Sequence, residues 1–174
     1  VGQIVYQRFA SLGLDVVVHD PFKASQGVQS VRFVSLEEVM QVDILCLHAP
    51  LTTGSDFPTK AMIGAEQLAN LPENASIISA GRGGIIDEAA LIQEYHARSG
   101  EMNLVLDVWN NEPEINLELF ALVDIATPHI AGYSKQGREK GTWMVFQALC
   151  EFLQAPIPNG LAETAISAGW IQSI

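Results

Sequence analysis

This sequence of 174 residues has little cysteine, few basic residues and no long apolar run. Its two cysteines, Cys46 and Cys150, are too few for a disulfide framework and lie in apolar patterns. We therefore expect buried thiols of a reducing, cytoplasmic compartment, with no role as metal ligands. Nine Lys and Arg against 20 Asp and Glu give a net charge of −11, which repels nucleic acid and anionic membranes. No apolar stretch approaches the roughly 18 residues that cross a bilayer. The composition therefore predicts neither nucleic acid nor membrane as a partner, and an anionic substrate would need a local positive group.

The sequence is 48% apolar, and strand-like apolar runs alternate with helical patterns. This alternation is typical of parallel strands joined by crossover helices. It predicts an α/β fold with a Rossmann-like, doubly wound parallel sheet. The predicted strands are 14–19, 43–48, 75–79, 103–108 and 123–126, and the predicted helices are 1–12, 35–40, 63–71, 87–98, 117–122 and 134–154.

Gly2 and Asp20 have the spacing of a dinucleotide-binding fold. Val1-Gly2 is similar to the tail of a Gly-x-Gly-x-x-Gly fingerprint, and Asp20 follows Gly2 by 18 residues, at the end of an apolar run. The opening glycines of the fingerprint are not in the sequence. We therefore expect a fragment whose NAD-binding domain lacks its first strand. The alternative is ordinary, because a glycine that opens a helix and an acid that ends a strand occur together in many α/β proteins.

Three separated segments supply polar groups directly after predicted strands. They are Gly81-Arg82-Gly83, Asp107-Val-Trp-Asn-Asn-Glu112-Pro113 and Pro128-His129-Ile-Ala-Gly-Tyr133. An arginine can hold a carboxylate through two parallel hydrogen bonds, an imidazole can move a proton, and an acid can orient that imidazole. If the segments converge, Arg82, Glu112 and His129 form a catalytic site suited to 2-hydroxy acid oxidation, with nicotinamide as hydride acceptor.

Each member of this trio also has a structural interpretation. Arg82 could be a surface arginine in a turn, and Glu112 an exposed acid in an Asn-Asn-Glu-Pro loop. His129 could be a structural histidine at a strand exit, presented by the stiff Pro128. Convergence of the three side chains would distinguish the catalytic interpretation from the structural one.

The order, spacing and flanking residues of these segments resemble the D-isomer-specific 2-hydroxyacid dehydrogenases. The general resemblance rests on Arg-Gly, Asp-Val-Trp…Glu-Pro and Pro-His-Ile-Ala-Gly, and it extends to about Gln154. Further similarity to one member comes from Glu112-Pro-Glu-Ile-Asn-Leu-Glu-Leu, Val123-Asp-Ile-Ala-Thr-Pro-His and Gly137-Arg-Glu-Lys-Gly-Thr. The resemblance implies NAD as cofactor, a small phosphorylated 2-hydroxy acid as substrate and a homodimer in the intact protein.

The same resemblance assigns roles to individual positions. Arg82 would hold the substrate carboxylate with help from Tyr133, His129 would be the general acid and base, and Glu112 its partner. Asp107 would face the nicotinamide amide, although it could instead cap the following turn. The implied cofactor-binding residues are Gly2, Asp20, Ala49, Ala80, Gly81, Arg82, Asp107 and Gly132. The sequence departs from its relatives at Ala49, where threonine is common, and at Gly81, where a bulkier residue is common.

The resemblance also predicts how the chain is divided. Residues 1–133 would form a partial NAD-binding domain, 134–154 a crossover helix returning to a substrate domain, and 155–174 a linker toward a dimerisation domain. We expect the apolar face of that helix to be partly uncovered, and the isolated chain to be inactive. Two other functions stay open: a related dehydrogenase acting on phosphoglycerate or on glyoxylate and hydroxypyruvate, and a non-catalytic NAD-binding interaction protein.

Overall fold

A computed structural model describes residues 1–28 and 30–157 of the chain. The chain folds into two compact units, Val1–His129 and Ile130–Ile174, of which the second is described up to residue 157. Most of the linker predicted for 155–174 therefore lies outside the described residues. All the strands of the described residues belong to the first unit.

The first unit is built on a four-stranded parallel sheet whose spatial order is β1-β2-β3-β4. The strands are β1 Ile44–Leu47, β2 Ser76–Ser79, β3 Asn103–Leu106 and β4 Ile125–Ala126. Leu47 is paired with Ser79, Ser79 with Leu106, and Leu106 with Ala126. This register aligns the carboxyl ends of all four strands at one edge. The parallel α/β sheet predicted from the sequence is confirmed.

Helices connect the strands, and all but one of those in the first unit lie within the helix ranges predicted from the sequence. In the first unit they are α1 Gly2–Ser11, α2 Pro21–Ser25, α3 Leu36–Val39, α4 Ala65–Ala69, α5 Glu88–Ala97 and α6 Leu117–Leu122. A capping box forms at the start of α3, where Ser35 and Glu38 accept hydrogen bonds from each other's backbone amides. Asp87 caps α5 by accepting hydrogen bonds from the amides of Ala89 and Ala90.

The core lies on one face of the sheet because side chains alternate along each strand. Leu45 and Leu47 are buried, whereas Cys46 between them is only partly buried. Cys46 was expected to be buried, and this expectation is wrong because its side chain points to the opposite face. Its partial burial still raises the pKa of the thiol. Cys150 is buried, as predicted. The largest fully buried side chains are Met40, Ile63, Leu68, Ile77, Ile85, Leu91, Leu104 and Leu119.

The strand predicted over 14–19 does not form a regular strand. Only Val18 makes a ladder contact, a single parallel bridge to Phe33. A strand needs a neighbour along its length, and within the described residues only the segment around Phe33 pairs with it. The short helix α2, which the sequence pattern did not indicate, begins directly after it.

The second unit contains α7, Lys135–Phe152, which Ser134 caps by accepting a hydrogen bond from the Gly137 amide. Its apolar face is largely uncovered: Val145 is 71% exposed and Phe152 is 84% exposed. The expectation of a partly uncovered apolar face is confirmed. Among the described residues, no helix combines the length and the apolar character that a membrane span requires.

Candidate active site

The three predicted catalytic side chains meet at the carboxyl edge of the sheet. Arg82 lies three residues after β2, Glu112 lies in the loop after β3, and His129 lies three residues after β4. The Nδ1 atom of His129 is 2.7 Å from Oε2 of Glu112, and its Nε2 atom is 3.5 Å from Nη1 of Arg82. Open parallel sheets bind ligands at this edge. The convergence that the catalytic interpretation required is therefore present.

The hydrogen bonds of His129 determine which of its ring nitrogens can accept a proton. An ionised carboxylate only accepts hydrogen bonds, so the Nδ1–H group of His129 donates to Glu112. In the neutral ring this leaves the lone pair on Nε2, on the side of the Arg82 guanidinium, which only donates. The side chains of His129 and Glu112 are 39% and 32% exposed. The His129 ring is therefore partly open to solvent.

Glu112 is held in its ionised form. Burial acts to raise its pKa, but hydrogen bonds from His129 and from the Trp109 amide outweigh burial and leave the pKa below the ordinary value. The Trp109 amide donates to Oε1 at 2.7 Å, while Oε2 accepts from His129. Each carboxylate oxygen thus has its own donor, and the carboxylate cannot turn without losing one of them.

Arg82 offers a positive charge beside the imidazole. Its side chain is exposed, and its Nη1 atom donates to its neighbour's carbonyl, Gly81 O, at 3.0 Å. Within the part of the chain that the structure describes, no carboxylate forms an ion pair with it. The guanidinium can therefore bind an anionic ligand without first breaking an ion pair. Because the net charge of the chain is −11, an anionic ligand needs such a local positive group.

The backbone of His129 has a left-handed conformation, with φ of 56°. For a residue other than glycine this conformation costs on the order of 1 kcal/mol or more and persists only where the surroundings enforce it. Here the His129 amide donates to the carbonyl of Asp107 at 2.8 Å, which ties the segment after β4 to the end of β3. The ring is thus presented from a fixed and strained backbone.

Asp107 is 5% exposed and sits at the end of β3. Its Oδ1 atom accepts the Thr127 hydroxyl at 2.5 Å, and its amide donates to the carbonyl of Ser79. One carboxylate oxygen is therefore bonded within the protein, across to the segment that carries His129. A role toward the nicotinamide amide stays a prediction for this residue.

Glycines allow the loops after the strands to approach one another closely. A Cβ atom on Gly81 would lie 3.1 Å from the carbonyl oxygen of Ala49, and one on Gly83 would lie 1.9 Å from that of Trp109. Ala80, between β2 and Gly81, donates its amide to the carbonyl of Leu47. The predicted cofactor-binding residues Ala49, Ala80, Gly81 and Arg82 therefore share one region of the edge.

Gly2 and Asp20 lie at the N-termini of α1 and α2, respectively. Gly2 is the first residue of α1. His48 follows β1, and its burial lowers the pKa of its ring. Asp20 caps α2 by accepting the Lys23 amide at 2.9 Å. No hydrogen bond among the described residues joins Gly2 or Asp20 to the trio, so their predicted roles toward an elongated cofactor stay predictions.

Gly132 and Tyr133 belong to the second unit. A Cβ atom added to Gly132 would meet no described heavy atom within 4 Å beyond its chain neighbours, and Tyr133 is 67% exposed. The Arg138 guanidinium lies 5.3 Å from the centre of the Tyr133 ring and donates to its hydroxyl at 3.2 Å. The predicted contacts of Gly132 with cofactor and of Tyr133 with substrate stay predictions.

Three further residues hold the site together through hydrogen bonds that were not predicted from the sequence. Trp109 donates to Glu112, Thr127 donates to Asp107, and Glu88 accepts the Asn110 amide at 2.7 Å. Trp109 lies inside one of the three segments singled out from the sequence, and Thr127 directly precedes another. Their partners are 20 residues away or lie in a loop, so no local pattern identifies them.

Comparison with known proteins places this arrangement in one family. Residues 1–131 match the family model described as "D-isomer specific 2-hydroxyacid dehydrogenase, NAD binding domain". The erythronate-4-phosphate dehydrogenase of Marinomonas sp. is 55% identical over 174 residues, which are 100% of this chain and 46% of that protein. The enzyme of the same name from Psychromonas ingrahamii is 44% identical, over 88% of this chain and 39% of that protein.

A solved structure has the same fold. The glyoxylate reductase from Paecilomyes thermophila superposes with a TM-score of 0.67 at 26% identity, over 85% of this chain and 44% of that chain. This match confirms the Rossmann-like fold class. The chain spans less than half the length of the curated relatives that it matches. With a family model that matches three quarters of its residues, the chain belongs to the D-isomer-specific 2-hydroxyacid dehydrogenases and contains their NAD-binding domain.

Proposed function

We propose that the full-length protein containing this chain oxidises 4-phospho-D-erythronate to the corresponding 2-oxo acid with NAD, a step of pyridoxal phosphate biosynthesis. The observation that carries the oxidation chemistry is the arrangement of Arg82, His129 and Glu112 at one edge of the sheet. The choice of substrate is supported by the 55% identity to an erythronate-4-phosphate dehydrogenase. We propose further that the protein is a cytoplasmic homodimer, as the sequence resemblance implies.

In this proposal the substrate carboxylate binds the exposed Arg82 guanidinium through two parallel hydrogen bonds. The C2 hydroxyl then lies beside His129, whose Nε2 atom takes the hydroxyl proton as the C2–H bond breaks. Glu112 accepts the Nδ1–H bond and stabilises the imidazolium that forms. In the reverse direction the same Nε2 atom returns the proton to the oxygen. The proton therefore moves over one hydrogen bond, at a ring whose orientation Glu112 fixes.

The residues at the strand ends fit a dinucleotide. Gly81 and Gly83 have no side chains, so the loop after β2 packs closely against the backbone of Ala49 and Trp109, at the edge of the sheet where dinucleotides bind. The Asp20 carboxylate can accept hydrogen bonds from ribose hydroxyls. Gly2, Asp20, Ala49, Ala80 and Asp107 would hold NAD, together with Gly132. When bound, its nicotinamide ring supplies the hydride acceptor.

Substrate comparison tests this proposal. We expect the full-length protein to reduce NAD with 4-phospho-D-erythronate at a kcat/KM at least about tenfold above those for 3-phosphoglycerate and glycolate, in view of the discrimination that polar sites achieve. NADP is the matched cofactor control, and it should support less turnover because Asp20 repels its extra phosphate. Preference for 3-phosphoglycerate or glycolate would replace the proposed substrate. Binding of NAD without turnover of any of the acids would indicate an interaction protein.

Replacing Glu112 with Gln tests the partnership with His129. Without the carboxylate, the protonated imidazole loses the charge that favours it, so His129 becomes an available base at lower pH. We expect the acidic limb of kcat/KM for oxidation to move to lower pH by about one pH unit. The two oxygens of the Glu112 carboxylate accept hydrogen bonds from Trp109 and His129, whereas the neutral amide has one acceptor oxygen. One of these two hydrogen bonds is therefore lost, His129 is held less firmly, and kcat should fall.

The pH profile of each variant, measured with steady-state kinetics, gives the result. Glu118→Gln is the matched control, because Glu118 pairs with the exposed His96 at 3.9 Å and has no hydrogen bond to the trio among the described residues. An acidic limb that stays in place in Glu112→Gln would remove Glu112 from the proposed mechanism.

In the wild type the Glu112 carboxylate is ionised over the whole working range of pH, because its pKa is below the ordinary value. The carboxylate therefore stabilises the protonated His129 ring above about pH 4, and this stabilisation is lost only in stronger acid.

A further inference from the structure

Trp109 contacts the segments that carry all three catalytic residues. It is 4% exposed, and its ring packs against Phe120 with the ring centres 5.9 Å apart. A buried tryptophan in a loop is ordinarily explained by packing alone. The polar atoms of Trp109, however, each point to a different part of the site, and packing does not require this.

The amide of Trp109 binds Glu112, and its indole binds the segment that carries His129. The backbone N–H donates to Oε1 of Glu112 at 2.7 Å. The indole Nε1–H donates at 3.1 Å to the carbonyl of Thr127, two residues before His129. Pro128 lies between them with a restricted φ and no amide proton, so a fixed Thr127 carbonyl restricts the start of the strained turn at His129.

The carbonyl of Trp109 borders the arginine turn. A Cβ atom on Gly83 would lie 1.9 Å from this oxygen, so the backbone next to Arg82 is in close contact with it. The amide, the carbonyl and the indole of one buried residue thus contact the supports of Glu112, Arg82 and His129. Their relative positions depend on where Trp109 sits.

We propose that Trp109 is a positioning residue for the transfer of the proton, acting through its indole N–H group on the segment that presents His129. This inference rests on the proposed function and names the group that keeps the His129–Glu112 hydrogen bond aligned. Loss of the indole N–H leaves the Thr127 carbonyl without its donor, and the His129 turn gains freedom. The imidazole then spends less time with Nδ1 on Glu112 and Nε2 toward Arg82.

The test replaces the N–H group and keeps the shape of the side chain. In the full-length protein, β-(3-benzothienyl)alanine at position 109 substitutes sulfur for the indole N–H and retains the fused rings, and Trp109→Phe is a second variant. We expect kcat for oxidation to fall by about 3- to 10-fold with KM little changed, because one neutral hydrogen bond is removed and Arg82 still binds the carboxylate. The acidic limb of the pH profile should move in the direction expected for Glu112→Gln, by a smaller amount.

A second readout does not depend on turnover. With ¹⁵N-labelled histidine, NMR follows the exchange of the His129 Nδ1 proton with water, and we expect that exchange to become about 3- to 10-fold faster in the analogue. The same analogue at Trp143, on α7, is the matched control and should change neither measurement.

The outcomes separate the two proposals. Unchanged proton exchange in the analogue overturns the positioning role of Trp109, whether or not turnover falls, because a loss of packing alone would lower stability without loosening this bond. Faster exchange with a lowered kcat supports it. If the wild-type protein turns over none of the acids, the proposed function fails, and the exchange measurement still decides whether Trp109 aligns His129 on Glu112.

Discussion

Replacing His129 with Asn is expected to lower kcat for oxidation by about 10²- to 10⁴-fold, the usual contribution of a positioned general base. The amide of Asn cannot take a proton from an alcohol at neutral pH, whereas Nε2 of His129 can. The KM for the hydroxy acid should change little, because its carboxylate is held by Arg82 and not by the ring. The loss should therefore be seen almost wholly in kcat.

Asparagine is the appropriate replacement because of the backbone at this position. His129 has a φ of 56°, and Asn adopts the left-handed region more readily than most residues do. Alanine would combine the chemical loss with additional backbone strain. In His129→Asn the backbone amide of residue 129 can keep its hydrogen bond to the carbonyl of Asp107, and the turn stays in place.

Steady-state kinetics across pH provides the measurement. The acidic limb that the wild type shows should disappear in His129→Asn, since the titrating base is gone. His96→Asn is the matched control: His96 lies near the end of α5 with an exposed side chain, and its replacement should leave kcat unchanged. A kcat within threefold of the wild type would show that another group takes the proton.

The sequence was sufficient to predict the elements whose signals are local. Strand-like apolar runs indicated β1 to β4, and helical patterns that begin at Ser35 and Asp87 predicted α3 and α5. Because parallel strands end at one edge, the position of Arg82, Glu112 and His129 after three different strands favoured their convergence. Each residue alone also fits a structural role, so the assignment of the trio to catalysis rested on the family resemblance.

The features that could not be predicted from the sequence depend on contacts between segments that are distant along the chain. The apolar run at 14–19 indicated a strand, but strand formation requires a neighbour, and only Val18 forms a bridge. The left-handed turn of His129 and the bonds from Trp109 to Thr127 and Glu112 arise from segments that meet only after folding. Cys46 was misjudged because a continuous apolar run does not show which face of a sheet is covered.

The narrow space beside Gly83 leads to the second large effect. Substitution of Ala is expected to destabilise the protein by about 1 to 3 kcal/mol and to lower kcat/KM by roughly 10²-fold. The new Cβ atom would lie 1.9 Å from the carbonyl oxygen of Trp109, where contacts under 3.0 Å are essentially never observed. Backbone must therefore move by about 1.1 Å on one side, and both sides carry catalytic groups.

Whether the Gly83 backbone or the Trp109 backbone moves determines whether KM or kcat changes. It does not determine the size of the loss in kcat/KM. Movement of the Gly83 side displaces Arg82, the preceding residue, and should raise KM for the acid. Movement of the Trp109 side pulls its amide from Glu112 and should lower kcat. A shift of 1 Å in a positioning element is enough for a roughly 10²-fold loss, so we expect a loss of that size in kcat/KM by either route.

Chemical denaturation and steady-state kinetics of Gly83→Ala test this expectation together. Gly141→Ala is the matched control. A Cβ atom added to Gly141, on α7, would meet no described heavy atom within 4 Å outside the backbone of that helix, and the replacement removes a helix-destabilising glycine. It should leave kcat/KM unchanged and the protein equally or slightly more stable. Wild-type kcat/KM in Gly83→Ala would show that the arginine turn and the Trp109 loop can separate freely. In that case the carbonyl of Trp109 would not help to position Arg82, and its link to the trio would be limited to Glu112 and the segment before His129.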